Sequence, residues 1–387
     1  MELKNNNGEN VFMNMKNIYK LIFIGLFIII PVYSSYAQNV SMEYPRVMSS
    51  VRAMGMGNAF FGVSDDKWAA FYNPAGLARN KMHWQLDLVP IAVGINNNIL
   101  NSGMDFLNGG FNSDNMANTI GNVLGTYNNI APVNSYIAFT YKNWSFGFFA
   151  NANVNLLTYN NINPTVAAKV KADTGAVFTY AHSFLEDKSL HFGVSIYGLT
   201  RIGYQGMYNV VDSTNIDTNA MIQDALNNTG WGVFFSAGVM YELPWLRKVL
   251  NPRVGLSLND VGYQTMKSYN RIDPSLNLSF AISPNWKFIS SNIVIDFNDI
   301  LFTNGNDQSF GKRVNIGAEI GFWNRLFLRT GFHQGYWTAG AGLDLWLLRL
   351  NYAYYTEELG AYAGHIPDER HVIELVLGWD KMQKNKN

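Results

Sequence analysis

Downstream of about residue 80, apolar and polar residues alternate along most of the chain. In Trp144–Leu156 one parity carries Phe146, Phe148, Ala150, Ala152, Val154 and Leu156. The other carries Ser145, Gly147, Phe149, Asn151, Asn153 and Asn155. Successive side chains of a strand point to opposite faces, so this period of two predicts a strand with one apolar face and one small or polar face. The pattern recurs in Leu276–Ile282, Val314–Ile320, Leu348–Tyr354 and Ile373–Trp379. Followed through the chain it predicts about fourteen strands. They lie near 82–97, 133–141, 144–158, 170–183, 189–206, 230–243, 253–260, 275–283, 287–298, 312–321, 325–333, 336–343, 346–355 and 371–379.

The connections between these strands also alternate. The first, third, fifth, seventh, ninth and thirteenth are expected to be long, each over about ten residues, the pattern of a barrel's outer loops. The second, fourth, eighth, tenth and twelfth are short, and the sixth, Leu243 to Pro252, is intermediate. Only the eleventh, near His333 to Tyr336, breaks the order. Transmembrane barrels place long loops outside and short turns on the periplasmic side. A sandwich in water has no reason to do so. The fold expected is therefore all-β, a transmembrane antiparallel β-barrel with both termini periplasmic. Closure is required because an open edge in lipid leaves backbone groups unpaired. Trp144, Trp286, Trp337, Trp346 and Trp379, near strand ends, are expected to form interfacial girdles. Two long connections, Met104–Leu124 and Asn219–Leu226, have weak helical periodicity and are expected to cap the outer side.

Composition agrees with such a wall. Charged residues make up 14% of the 387, against about 25% in a soluble domain. Aromatics reach 14%, yet mean hydropathy is −0.06, which excludes a bundle of membrane helices. The net charge of zero offers no electrostatic case for nucleic acid. With no cysteine there are no disulfides, thiolate ligands, thiol catalysis or Cys-linked lipid anchor. At the start, Lys16 and Lys20 precede the apolar run Leu21–Val32 and then Tyr33–Gln38. This is the layout of a secretory signal peptide over 1–37, cleaved after Ala37. A single transmembrane anchor is the alternative, but the run falls short of the roughly 20 residues a spanning helix needs.

One stretch stands apart from the alternation, Arg52–Gly76. Ser64, Asp65 and Asp66 are placed to cap a short helix through Trp68 and Phe71. Pro74 disfavours a helical conformation at Asn73, and Gly76 is free to take the dihedrals a chain exit requires. A glycine-rich turn, one or two helical turns and a rigid bend are expected. Residues 38–80 then form a plug in the lumen, 81–380 the barrel, and 381–387 a polar tail.

Gly55, Gly57, Ala59, Asp65, Asp66, Asn73, Pro74, Ala75 and Gly76 resemble the N-terminal signature of the FadL family of outer-membrane transport proteins, including its PorV/PorQ-like and spirochaetal relatives. Asn315–Glu319, Leu328–Gly331, Asn351–Tyr354 and His371 are similar to these relatives too. The resemblance implies a fourteen-stranded barrel in the outer membrane of a diderm bacterium, with an N-terminal hatch in its lumen. It implies passive uptake of hydrophobic small molecules, long-chain fatty acids in the type members, past a moving hatch and out through a lateral opening. The PorV-like branch implies instead a structural barrel that binds secretion-system or surface proteins.

The candidate hatch or gate residues are Gly55, Gly57, Asp65, Asp66, Asn73, Pro74, Ala75 and Gly76. Asn73–Ala75 forms either a gate or a structural bend alone. Gly55 and Gly57 do not make the Gly-x-Gly-x-x-Gly of a nucleotide loop, and Asp65 and Asp66 suit a helix cap better than a metal. The candidate lumen-lining charges are Asp87, Asp296, Glu319, Arg329, Arg349 and Glu374. They either line a path and grip a carboxylate head group or, the favoured expectation, form ion pairs that brace barrel and plug. The six histidines show no metal-binding spacing, and no motif selects a serine nucleophile. No catalytic residue, metal or cofactor is therefore expected. The glycines and asparagines of Trp144–Leu156 mark that strand as a candidate for a gap in the wall.

Overall fold

The period-two stretches fold into one wall. A computed structural model describes residues 46–80, 82–102, 126–159, 165–209, 223, 226–247, 249–266, 271–284, 286, 288–303 and 309–382. The strands are β1 Met82–Asn96, β2 Tyr127–Tyr141, β3 Trp144–Tyr159, β4 Thr165–Phe184, β5 Leu190–Asn209, β6 Gly230–Glu242 and β7 Arg253–Gln264. They continue with β8 Ser275–Ile282, β9 Ile289–Phe297, β10 Val314–Phe322, β11 Leu326–His333, β12 Tyr336–Asp344, β13 Leu348–Glu358 and β14 Pro367–Met382. Each pairs antiparallel with its neighbour in sequence, and β1 pairs with β14 to close the barrel. No strand is thereby left as an open edge, as a wall in lipid requires.

The faces follow the alternation. Along β3, Ser145, Gly147, Phe149 and Asn151 are buried inside, while Phe146 and Phe148 are exposed outside. The outer surface carries Ile91, Val93, Phe139, Ile196, Phe235, Ile293, Leu328 and Ile373, all exposed. Such a surface would be untenable in water at this extent and is what lipid contact demands. Trp144, Trp286, Trp346 and Trp379 are exposed at the short-turn end, joined there by Trp245 and Trp323, and Trp337 is exposed at the opposite end.

Several strands run further than the apolar pattern predicts. β2 begins at Tyr127, β4 begins at Thr165, β5 ends at Asn209, and β14 spans Pro367–Met382. β14 thus takes in Lys381 and Met382, which were expected in the tail. A hydrogen-bond ladder does not depend on which side chains it carries, so it continues beyond the lipid-facing band into polar sequence. The third and thirteenth connections shrink accordingly to 160–164 and 359–366 and are shorter than expected. The expected helical caps lie outside the described residues, save Gln223 and Leu226, as does the expected signal peptide.

On β3 the pairing with β4 runs without interruption from Trp144 and Tyr180 to Tyr159 and Thr165, whereas the pairing with β2 shifts register between Ile130 and Val133. The longest irregularity lies in β1–β2, where the register shifts between Asp87 and Ala92. Pro90, at the centre of this break, has no N–H to give to the ladder.

The chain before β1 has its own local order. Ser50 caps the one-turn helix α1, Val51–Gly55. Asp66 caps a 3-10 turn, Lys67–Ala70, by accepting from Trp68 N, and Asn73 caps a second, Pro74–Arg79, by accepting from Ala75 N. Asn73 is extended, φ −131° and ψ 104°, as Pro74 dictates. Almost every residue from Val47 to Leu77 is buried.

Candidate functional site

Residues 46–80 meet the inward-facing side chains of strands all round the barrel. Asn134 on β2 and Asn151 on β3 donate to the carbonyls of Ser49 and Val47, at 3.1 and 2.9 Å. Arg253 on β7 donates to Gly62 O at 2.5 Å, and Asn259 donates to Tyr72 O at 2.8 Å. Thr338 on β12 donates to Gly55 O at 3.2 Å. Phe71 adds an apolar contact, edge-on to Tyr136 and Phe149 with ring centroids 5.3 and 5.2 Å apart. The segment therefore occupies the space the wall encloses, and wall side chains satisfy its irregular backbone.

Charge fixes three anchor points. Arg52 grips Glu319 on β10 with Nε and Nη2, at 3.0 and 2.7 Å, and its Nη1 reaches Asp65 and Asp66 at 2.9 and 3.1 Å. Arg329 on β11 completes Glu319 at 2.7 Å and also donates to Asn351, which donates to Glu374. Lys67 forms the second anchor, 2.9 Å from Asp87 on β1 and 2.8 Å from the carbonyl of Tyr136. Arg349 on β13 binds the other oxygen of Asp87. The third is Arg79, 3.0 Å from Glu242 on β6. Burial works against the Asp65 carboxylate, but Arg52 and Arg79 outweigh it and hold its pKa below the usual value. For Asp66, burial prevails with Asp65 adding to it, and the pKa is raised despite Arg52.

Asp296 on β9 makes a further anchor through hydrogen bonds. One of its oxygens accepts from the backbone N–H groups of Phe60 and Phe61 at 2.5 and 2.9 Å, and the other accepts from Ser279. All six lumen-lining candidates thus face inward. Glu319, Arg329 and Glu374 join one network, Asp87 and Arg349 a second, and Asp296 stands apart.

Glycines on both sides let backbone meet backbone. Gly57 has φ +62°, and a Cβ there would fall 2.6 Å from Ile316 O and Phe332 N. A Cβ on Gly55 would sit 3.1 Å from the Cα of Gly340. Opposite Asn73–Ala75 the wall presents Gly193 and Gly238, where a Cβ would come within 2.3 Å of Pro74 and 1.9 Å of Asn73. Gly76 differs from expectation. It lies inside the second 3-10 turn, and what demands glycine is space, because a Cβ would sit 2.0 Å from Ser64 O.

Sequence reasoning missed Lys67, Arg79, Arg253 and Asn259. Arg253 and Asn259 share one parity of β7, a signal that was available. Lys67 and Arg79 flank helical turns and carried none. Among the described residues no group of three or more His, Asp or Glu is placed to hold a metal ion. Near the long-loop end, an apolar cleft is lined by Tyr127, Leu156, Leu157, Ala167, Ala168 and Leu359, with Asn155 and Lys169 at its margin.

No family model matches the chain, and no curated protein matches it. Solved structures do. The P. putida toluene transporter TodX is 10% identical, with 87% of this chain and 99% of that chain covered and a TM-score of 0.45. The Ralstonia pickettii toluene transporter TbuX is 14% identical, with 87% and 98% covered and a TM-score of 0.46. The CymD monoaromatic hydrocarbon channel is 11% identical, with 88% and 99% covered and a TM-score of 0.48. Likenesses this loose say nothing about what this chain carries; its chemistry rests on its own residues.

Proposed function

We propose that the protein is an outer-membrane barrel for passive uptake of a small hydrophobic compound of the long-chain fatty acid type, with residues 38–80 as its hatch. The observation that carries this is the pairing of an apolar, closed wall with a lumen filled by the chain's own N-terminal segment. A water-filled pore has no use for such a segment, whereas a gated passage does. The anchors suit a hatch that moves, because polar groups released from one another are taken up by water, unlike an apolar core. The apolar cleft near the long-loop end offers a first resting place, and the β1–β2 break at Leu88–Ile91 offers an exit into the wall. Asn73–Ala75, seated on Gly193 and Gly238, acts as the gate. Cells with and without the gene are compared for uptake of labelled fatty acids of several chain lengths and of a neutral aromatic. Faster uptake with the gene is expected, and equal rates for every compound would sink the reading.

A second reading, a PorV-like barrel that binds secretion-system or surface proteins, draws support from how tightly the lumen is filled around Gly57 and around Asn73 and Pro74. Crosslinking in intact outer membranes tests it. A reproducible protein partner would favour this reading, and its absence would count against it.

A further inference from the structure

The wall is not equally tall all round. β3, β4 and β5 run for 16, 20 and 20 residues, whereas β8 to β12 run for only 8, 9, 9, 8 and 9. At about 3.3 Å per residue and a tilt of about 40°, strands this short rise roughly 20–23 Å, less than the roughly 25 Å of an apolar band. On this low side the turns must supply the rest of the band.

The short turns after β6, β8, β10 and β12 follow one another round the rim, at 243–252, 283–288, 323–325 and 345–347. Each presents one tryptophan. Trp245, Trp286, Trp323 and Trp346 are 56%, 61%, 67% and 65% exposed, more than Trp144 and Trp379, which lie within strands. Leu246, Val249, Leu345 and Leu347 are exposed beside them. Leu246, Trp323 and Trp346 have φ of +58°, +53° and +74°. Glycine and asparagine suit this left-handed region, whereas a large side chain is strained there. A turn in water has no reason to hold an apolar side chain against that strain.

The turn backbone is also satisfied from within, as immersion requires. Trp286 N donates to Ile289 O at 2.8 Å, Trp323 N to Phe288 O at 2.9 Å and Leu345 N to Leu348 O at 2.8 Å. Trp346 N donates to the Asp344 carboxylate at 2.9 Å. The turns after β2 and β4 differ. The first is Lys142 and Asn143, and in the second an exposed Leu185 is followed at once by exposed Glu186, Asp187 and Lys188.

We propose that the four tryptophan-bearing turns form an apolar foot set into the periplasmic leaflet of the outer membrane. The bilayer then covers the low wall from turn to turn, and its periplasmic boundary runs obliquely across the rim. The occupant is lipid because the patch continues the lipid-facing band, through Tyr241, Val254, Ile289, Ile320, Leu326 and Leu343, all exposed next to these turns. Tryptophan is the side chain of the membrane–water boundary, and Arg325, exposed beside Trp323, suits the adjoining phosphate layer. The foot is independent of what passes the hatch.

The chain has no cysteine, so single-cysteine variants carry one probe each. Trp323→Cys and Trp346→Cys report on the foot, Lys142→Cys and Glu186→Cys on the polar turns, and Phe148→Cys on the lipid-facing band. Each full-chain barrel is labelled with an environment-sensitive fluorophore and placed in phosphatidylcholine nanodiscs, which leave both faces open. An unchanged heat-dependent gel mobility shows that each is folded. Quenching is measured with a nitroxide near the head-group end of a lipid chain and with aqueous iodide. Foot labels at the membrane boundary should be quenched by the lipid nitroxide at least about threefold more than the labels on the polar turns, and by iodide at least about threefold less. Iodide quenching at the foot equal to that at Lys142 overturns the proposal, because the turns then stand in water. Protection from both quenchers overturns it too, and assigns the patch to a protein neighbour, a second copy of this chain if the labelled barrel runs as a dimer.

Discussion

Asp296 shows how one side chain can hold two parts of a chain together. Its carboxylate is wholly buried and serves two backbone N–H groups of the N-terminal segment and one hydroxyl of the wall. Removing it leaves these donors without a partner, at about 1–3 kcal/mol each. Asp296→Ala should therefore lower the midpoint of guanidinium unfolding in detergent clearly. Asp296→Asn, which keeps one oxygen, should lower it less. Equal midpoints for all three proteins would show that the segment is held elsewhere. The alternation assigns Asp296 to the inner face. It could not name Phe60 and Phe61 as partners, because a separation of more than two hundred residues leaves no trace in local pattern.

At the scale of elements, the N-terminal segment and the wall were not equally legible. β3 was readable almost to its end, since Phe146 and Phe148 against Ser145 and Gly147 is a two-faced pattern only a strand explains. α1 was not, because a single turn is too short to show a period. The seats for the segment were invisible for another reason. Gly193 and Gly238 look like any small inward residues until the barrel closes and brings Asn73 and Pro74 against them. A Cβ at either position meets only segment atoms among its nearest neighbours, so the wall itself has room. Gly193→Ala combined with Gly238→Ala should leave the barrel folded yet unseat the segment. Trypsin should then cut after Lys67 and Arg79, and planar-bilayer conductance should rise above that of the unaltered protein. Protection from trypsin together with unaltered conductance would refute this role.

For the whole molecule, the decisive relation is between the apolar band and the closed ladder. Phe148 lies within that band on β3, whereas Trp379 lies at its short-turn border on β14. Phe148→Arg should destabilise by about 2–4 kcal/mol if the band spans a bilayer, and Trp379→Arg by only about 0–1 kcal/mol. Unfolding titrations in lipid vesicles measure both. Equal costs at the two depths would contradict the orientation of the barrel.

By itself the sequence determined the wall: how many strands, and which parity faces out. Side-chain alternation is local and directly answers to the solvent on each face. Tertiary structure alone decided the register that sets Lys169 and Lys171 against Asn155 and Asn153, and the pairing of Arg52 with Glu319 and of Lys67 with Asp87. It also decided that the β1–β2 ladder is interrupted around Pro90 and the β2–β3 ladder between Ile130 and Val133. Arg52 and Glu319 lie far apart in the chain, and the contacts of the N-terminal segment come into being only when β1 meets β14 and the closed barrel gives that segment an inside to occupy.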